Sequence, residues 1–405
     1  MKERPPVQDW ATDFDHNHPD WSRDPYAVWS DLRERCPVAH TDRYRGVYMP
    51  VRTEDIREIA YDPEHFSSRR ITILEGKPPI SAPLPPVTSD PPVHRAQRMM
   101  LLPAFNPEAI DRMRPITRAL CNDLIDRFID KGTCDAAADY ARLVPMRVIA
   151  RMLGISENDH DRFQVWVRDF VEDGIFDPEV FKRSVFEVDA FFAAEIEARK
   201  SAPRDDLISY LMGQKIDGKP LTLAHMQGTL RLLLLAGIDT TWSAIGLSLL
   251  HLAKTPSDRK RLVEDPSLLP TAIEEFLRVY APVSVGRLVV KEKEVGGCPF
   301  KAGQMVLLPY PAANRDPEKF EDPDKVVIDR QENRHSTFGL GIHRCVGSNL
   351  ARMELTVAIE EWLKRVPEFE LTEKDDSKLA WSPGLVRGPR RLPVLFPVSA
   401  KGGRA

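Results

Sequence analysis

Residues 338–347 read FGLGIHRCVG, from Phe338 to Gly347, and the rest of the chain is best interpreted outward from this loop. Glycines at 339, 341 and 347 let the backbone turn tightly and come close to a flat ligand. Cys345 stands where the loop runs into a strong helical pattern over 345–366. A thiol at a helix N-terminus is stabilised as thiolate by the dipole and by free N–H groups. His343 and Cys345 together would also suit half of a zinc site, and a glycine loop can simply bury a structural cysteine. No second ligand pair at zinc-like spacing lies nearby.

The other cysteines, Cys36, Cys121, Cys134 and Cys298, are scattered and form no CxxC pair, the usage of a reducing compartment. A chain of 405 residues can bury a core large enough to need no disulfides. Net charge is −4 with no block of like charges, which argues against nucleic acid as a partner. The start, MKERPPVQDW, has no apolar signal region, and the apolar run Leu232 to Ile238 ends at Asp239. That run is far short of the roughly 18 residues that suggest a membrane span. A cytoplasmic protein without a membrane anchor is expected.

Helical patterns cover 107–130, 178–200, 222–254 and 345–366. Capping residues followed by proline, at Asp24-Pro25, Asp90-Pro91, Asn106-Pro107 and Asp177-Pro178, mark helix starts. Strand-like runs are short: Gly46 to Val51, Leu288 to Lys291, Met305 to Leu308 and Leu392 to Phe396. The expected fold is mainly α with a small β region, while length alone would suggest two or three domains. Lys77 to Pro92 holds seven prolines in sixteen residues and reads as a stiff loop, either a connector or a pocket wall.

Two further patterns break local rules. Ala236-Gly237-Ile238-Asp239-Thr240-Thr241 puts a glycine, a carboxylate and two β-branched residues inside an apolar helix. Each weakens a helix interior or carries a desolvation cost, and rules broken together suggest function. Glu275 and Arg278 are three residues apart, so they share a helix face and can pair.

FGLGIHRCVG resembles the haem-binding signature of the cytochrome P450 family, FGxGxHxCxG, with every fixed position filled. The resemblance extends to AGxDT over 236–240 and ExxR over 275–278, in family order and over essentially the whole chain, which implies one domain over 1–405. It implies the cytochrome P450 fold, with haem b between the long distal helix and the proximal cysteine-loop helix. Cys345 would be the axial iron ligand, and such ligation favours O–O cleavage. Phe338, Gly339, Gly347, Ala236 and Gly237 would flank the cofactor, and His94, Arg98, Arg287 and His343 would hold its two carboxylates. Thr240 and Asp239 would bring protons to oxygen. Glu275 and Arg278 would be a buried structural pair joined to the segment 313–317.

The implied reaction is monooxygenation of a small hydrophobic substrate, one atom of O2 being inserted. Leu232, Leu235, Val283 and Val285 would line the substrate pocket, with Gly384 and Leu385 at its far edge. The loop 67–88 and the region Phe163–Phe170 would cover it. The chain shows no flavin phosphate loop and no ferredoxin-type cysteine set, so electrons from NAD(P)H are expected through a separate flavin reductase and 2Fe-2S ferredoxin. Arg112, Arg344 and Arg352 would form a basic docking face. A peroxygenase or isomerase on the same fold, or a haem-based binder or sensor, are the alternatives; the Asp239–Thr240 pair favours oxygen activation.

Overall fold

The computed structural model describes residues 4–74, 80–156, 159–373 and 378–398. Its axis is the helix Leu223–Lys254, capped by the Thr222 hydroxyl, which accepts the His225 N–H at 3.1 Å. This helix is apolar on nearly all sides and is accordingly buried, although its length and composition alone would allow it to cross a membrane. Around it pack the helices Leu143–Leu153, Pro178–Ser201 and Ser348–Arg365. The fold is mainly helical, as expected.

A five-stranded sheet lies to one side, ordered Val38–Thr41, Val47–Pro50, Met305–Pro309, Ser284–Val289 and Phe66–Ser67. The strand expected at Leu288–Lys291 instead runs over Ser284–Val289, antiparallel to Met305–Pro309 with Ser284 opposite Pro309. Gly286 obscures it in the sequence, since glycine weakens strand patterns. Here the glycine is required: a Cβ would lie 2.9 Å from the Ile71 carbonyl oxygen. A second sheet joins Glu370–Leu371, Pro393–Leu395 and Thr133–Asp135.

Most Asp-Pro and Asn-Pro starts appear as expected. The Asp24 carboxylate accepts the Tyr26 N–H at 3.1 Å, and Asn106 and Asp177 cap their helices likewise. Asp90 does not: the next helix is Val93–Met99, and the Asp90 carboxylate accepts from the Ser67 hydroxyl at 2.5 Å and the Ser68 N–H at 2.9 Å. The pattern over 107–130 divides into Pro107–Asp111 and Arg114–Asp126, because Pro115 supplies no N–H and fits only a first turn. The pattern over 345–366 becomes a helix from Ser348 to Arg365. Of the proline-rich segment, residues 77–79 lie outside the described residues.

Glu275 and Arg278 on the helix Leu269–Val279 are both fully buried. Arg278 donates to Glu275 through Nε at 2.8 Å and Nη2 at 2.7 Å, and to the carbonyls of Asn314, Pro323 and Lys325. Glu275 also accepts from the Val327 N–H, Arg330 and Asn333. Burial pushes the Glu275 carboxyl up, but these donors outweigh it and hold it below its ordinary value. Asn314 extends the network: its amide donates to Thr337 Oγ1 at 2.8 Å and its carbonyl accepts the Ser336 N–H at 2.6 Å. The cysteine loop begins at the next residue. Replacing Glu275 by Ala leaves a buried guanidinium without its carboxylate and should destabilise the fold by about 3–5 kcal/mol. Urea unfolding followed by circular dichroism measures this; an unchanged midpoint would show that the network does not hold the fold.

Candidate active site

The cysteine loop owes its shape to glycines. Gly339 and Gly341 have φ of 73° and 67°, and a Cβ on Gly341 would lie 2.3 Å from the Ala60 carbonyl oxygen. The Cys345 N–H donates to the Phe338 carbonyl at 2.8 Å and closes the turn. Cys345 is exposed and lines a cavity of about 290 Å³. Burial pushes its thiol up, while the Gly347 N–H and then Arg98, Arg344 and Arg352 pull the other way.

Facing the loop across the cavity are Ala236, Gly237, Thr240 and Thr241 of the long helix. The Thr240 hydroxyl donates to the Ala236 carbonyl at 2.9 Å, the back-bond that lets threonine sit inside a helix. Asp239 lies beside the lining face, buried, and its Oδ1 accepts from Arg390 at 2.5 Å. Its Oδ2 has no hydrogen-bond partner among the described residues. Burial pushes the Asp239 carboxyl up, and Arg390 opposes it. Arg390 continues to Glu172 at 2.5 Å and stacks over the Trp242 ring at 4.0 Å. Glu172 follows the helix His160–Val171, and its side chain is 19% exposed, so this chain of charges reaches towards solvent.

One edge of the cavity collects two arginines and two histidines. His94, Arg98, Arg287 and His343 all line it, and the two imidazole rings are 4.4 Å apart. Arg287 is buried and donates to the Gly286 carbonyl at 2.8 Å. Among the described residues, neither arginine has a carboxylate within ion-pair distance. His94 Nε2 and His343 Nε2 are buried without hydrogen-bond partners among these residues. Burial, followed by Arg287, His94 and Arg98, drives the His343 imidazole down to about 3. Such a gathering of donors is unfavourable without an anion. Together with a thiol facing a glycine-lined slot, it fits a flat macrocycle bearing two carboxylates and a metal.

The family model of cytochrome P450 matches residues 179–396. The chain belongs to the cytochrome P450 family. It is 32% identical to a mycinamicin IV hydroxylase/epoxidase of Micromonospora griseorubida, over 91% of this chain and 94% of that one. Identity is 33% with a steroid C26-monooxygenase of Mycobacterium tuberculosis, over 93% and 94%. The solved structure of PksS, a polyketide synthase P450 of Bacillus subtilis, superposes with a TM-score of 0.87 at 28% identity, covering 95% of this chain and 99% of that one. This P450 is thus a haem-thiolate monooxygenase that uses O2 and an organic substrate.

The remaining site expectations divide. Phe338, Gly339, Gly347, Leu232, Val283 and Val285 line the cavity. Leu235 does not: at about 100° per residue it lies roughly 60° beyond Leu232, past the edge of the lining stripe and away from Thr240, and it packs into the core. Leu385 is also displaced from the wall, because its backbone carbonyl pairs with the Ser284 N–H at 2.8 Å and its side chain joins the N-terminal core. Gly384 abuts Ile175 instead. The region Phe163–Phe170 packs against the helix Pro178–Ser201, with Trp166 and Phe191 rings 5.3 Å apart, and does not line the cavity. From the loop 67–88, Pro86 and Val87 reach the wall. Arg390, Glu172 and Leu233 had no sequence signal, since no spacing links them to Asp239 or to the cysteine loop.

Arg352 also differs from expectation. It pairs with Glu274 through two bonds of 2.6 and 2.9 Å and stacks over Phe338 at 4.4 Å, so it braces the loop rather than presenting a free charge. Arg112 pairs with Glu108 at 3.6 Å, whereas Arg344 is exposed. Burial pushes the Glu274 carboxyl up, but His335 and Arg352 outweigh it and hold it at about 2, against an ordinary 4.5. A carboxyl lowered on folding stabilises above its unfolded value and loses that contribution as pH falls towards the folded one. Glu274→Gln should therefore flatten the fall in melting temperature between pH 4.5 and about 2. Arg98→Ala should lower haem retention, read as faster haem transfer to apomyoglobin; retention equal to the parent would remove Arg98 from the clamp.

Proposed function

We propose that this P450 hydroxylates a hydrophobic organic molecule with electrons from NAD(P)H, delivered by a separate flavin reductase and 2Fe-2S ferredoxin. The observation that carries the reading is the Thr240 hydroxyl on the cavity wall, directly followed in space by the buried chain Asp239–Arg390–Glu172. Haem b, bound at Cys345, supplies O2 binding and activation. The protein's part is to hold that cofactor and to feed protons. His94, Arg98, Arg287 and His343 hold its carboxylates, where planar guanidinium groups suit paired hydrogen bonds. Gly237 and Ala236 leave the distal space free of side-chain bulk.

Thr240 Oγ1 holds a proton beside the oxygen-binding space, and Asp239 Oδ2 supplies it. Its raised carboxyl value makes Asp239 a better proton carrier than an exposed aspartate. Arg390, which keeps its protons, is shared between Asp239 and Glu172 and holds the aspartate in place. Leu232, Leu233, Val87, Val283 and Val285 give the substrate an apolar chamber without a charged anchor, which suits a hydrophobic molecule oriented by shape. The relatives named for mycinamicin IV and for steroids agree with that class. Exposed Arg344, beside the cysteine loop, offers an acidic ferredoxin its first contact. The chain works as one catalytic unit in the cytoplasm.

A reconstituted assay with NADH, ferredoxin and reductase tests the scheme. Thr240→Ala should keep haem and the substrate-induced Soret shift while NADH consumption yields peroxide in place of product. Undiminished coupling of NADH to product would overturn the role of Thr240.

A further inference from the structure

We propose that Arg231 is a latch that sets the size limit of the substrate chamber, by fixing the wall formed by Pro86 and Val87. The inference rests on the cavity being that chamber. Arg231 precedes Leu232 on the long helix but points away from the cavity and is only 2% exposed. Its guanidinium ties three segments together. Nη1 bonds the Asp189 carboxylate of the helix Pro178–Ser201, and Nη2 donates to the Pro83 carbonyl at 3.0 Å. One turn earlier, Gln227 donates to the Asp189 carbonyl at 2.8 Å.

Gly228 shows how closely the loop is seated. A Cβ there would lie 2.7 Å from the Pro83 carbonyl oxygen and 2.9 Å from Pro85 Cδ, so the loop rests directly on helix backbone. Pro83 and the wall then move as one piece. The Leu84 N–H donates to Thr88 Oγ1 at 2.8 Å, the Thr88 N–H to the Leu84 carbonyl at 3.1 Å, and the Ser89 N–H to the Pro86 carbonyl at 3.1 Å. Beyond them Asp90 is anchored by Ser67 and Ser68. A ligand too large for the closed chamber binds only molecules in which the Pro83 contact has opened. Its apparent affinity is lowered by that fraction, whereas a small ligand is unaffected.

The test uses full-length, haem-loaded protein titrated with imidazole and a series of 4-arylimidazoles of increasing size, read through the Soret band. Arg231→Met keeps the buried stem but removes both bonds; Gly228→Ala keeps the guanidinium and displaces Pro83 by contact. Both should leave imidazole affinity unchanged and raise affinity for the bulkiest arylimidazole by about tenfold. Arg231→Lys, which can keep the pair with Asp189, should fall between parent and Arg231→Met. Parent-like selectivity in both variants overturns the latch while leaving the chamber intact. If Arg231→Met does not fold, Gly228→Ala decides alone. A parent protein that answers to no imidazole overturns the chamber and the latch together.

Discussion

A guanidinium taken wholly out of water must find protein partners for its donors, and Arg278 finds them on segments that would otherwise have no reason to meet. Glu275 lies on its own helix, but the carbonyls of Asn314, Pro323 and Lys325 come from an irregular stretch some 40 residues on. Desolvating a charged pair is costly, and only a fully bonded network offsets it. The irregular segment and, through Asn314, the start of the cysteine loop are therefore placed by one satisfied charge. Gly341 against Ala60 and Arg352 over Phe338 finish the loop from the other side.

The cavity shows the opposite electrostatic logic. Arg278 is complete within the protein, whereas Arg287, Arg98 and two histidines meet at the cavity edge with their donors largely unused. Burial first, and then the neighbouring Arg287, His94 and Arg98, depress the His343 imidazole. Completed charges build the frame, and uncompleted ones mark where a ligand's charge belongs. The same contrast separates Asp239, with one oxygen bonded and one not, from Glu275.

Much of this was legible in the sequence because it is local. FGLGIHRCVG, the AGIDTT stretch and ExxR each carry their chemistry within a few residues, and helix caps at Asp24 and Asp177 depend on the next turn alone. What was lost depends on distance along the chain or on angle. Leu235 sits three residues from Leu232 yet faces the core, since the wall follows a stripe of the helix rather than its sequence. Leu385 was drawn off the wall by a backbone pairing with Ser284. Asp90 left its expected cap for Ser67 and Ser68. Arg352 was taken by Glu274, 78 residues away, and nothing near Asp239 announces Arg390.

The route to Asp239 is assembled from the three corners of the chain, with Glu172, Asp239 and Arg390 each separated by many tens of residues. Recombination between relatives therefore meets a hidden boundary there. A crossover placed between the long helix and the C-terminal segment keeps every recognisable motif of each parent, yet joins an aspartate from one lineage to whatever stands opposite it in the other. Such a chimera inherits complete signatures and still leaves this aspartate without a matched partner.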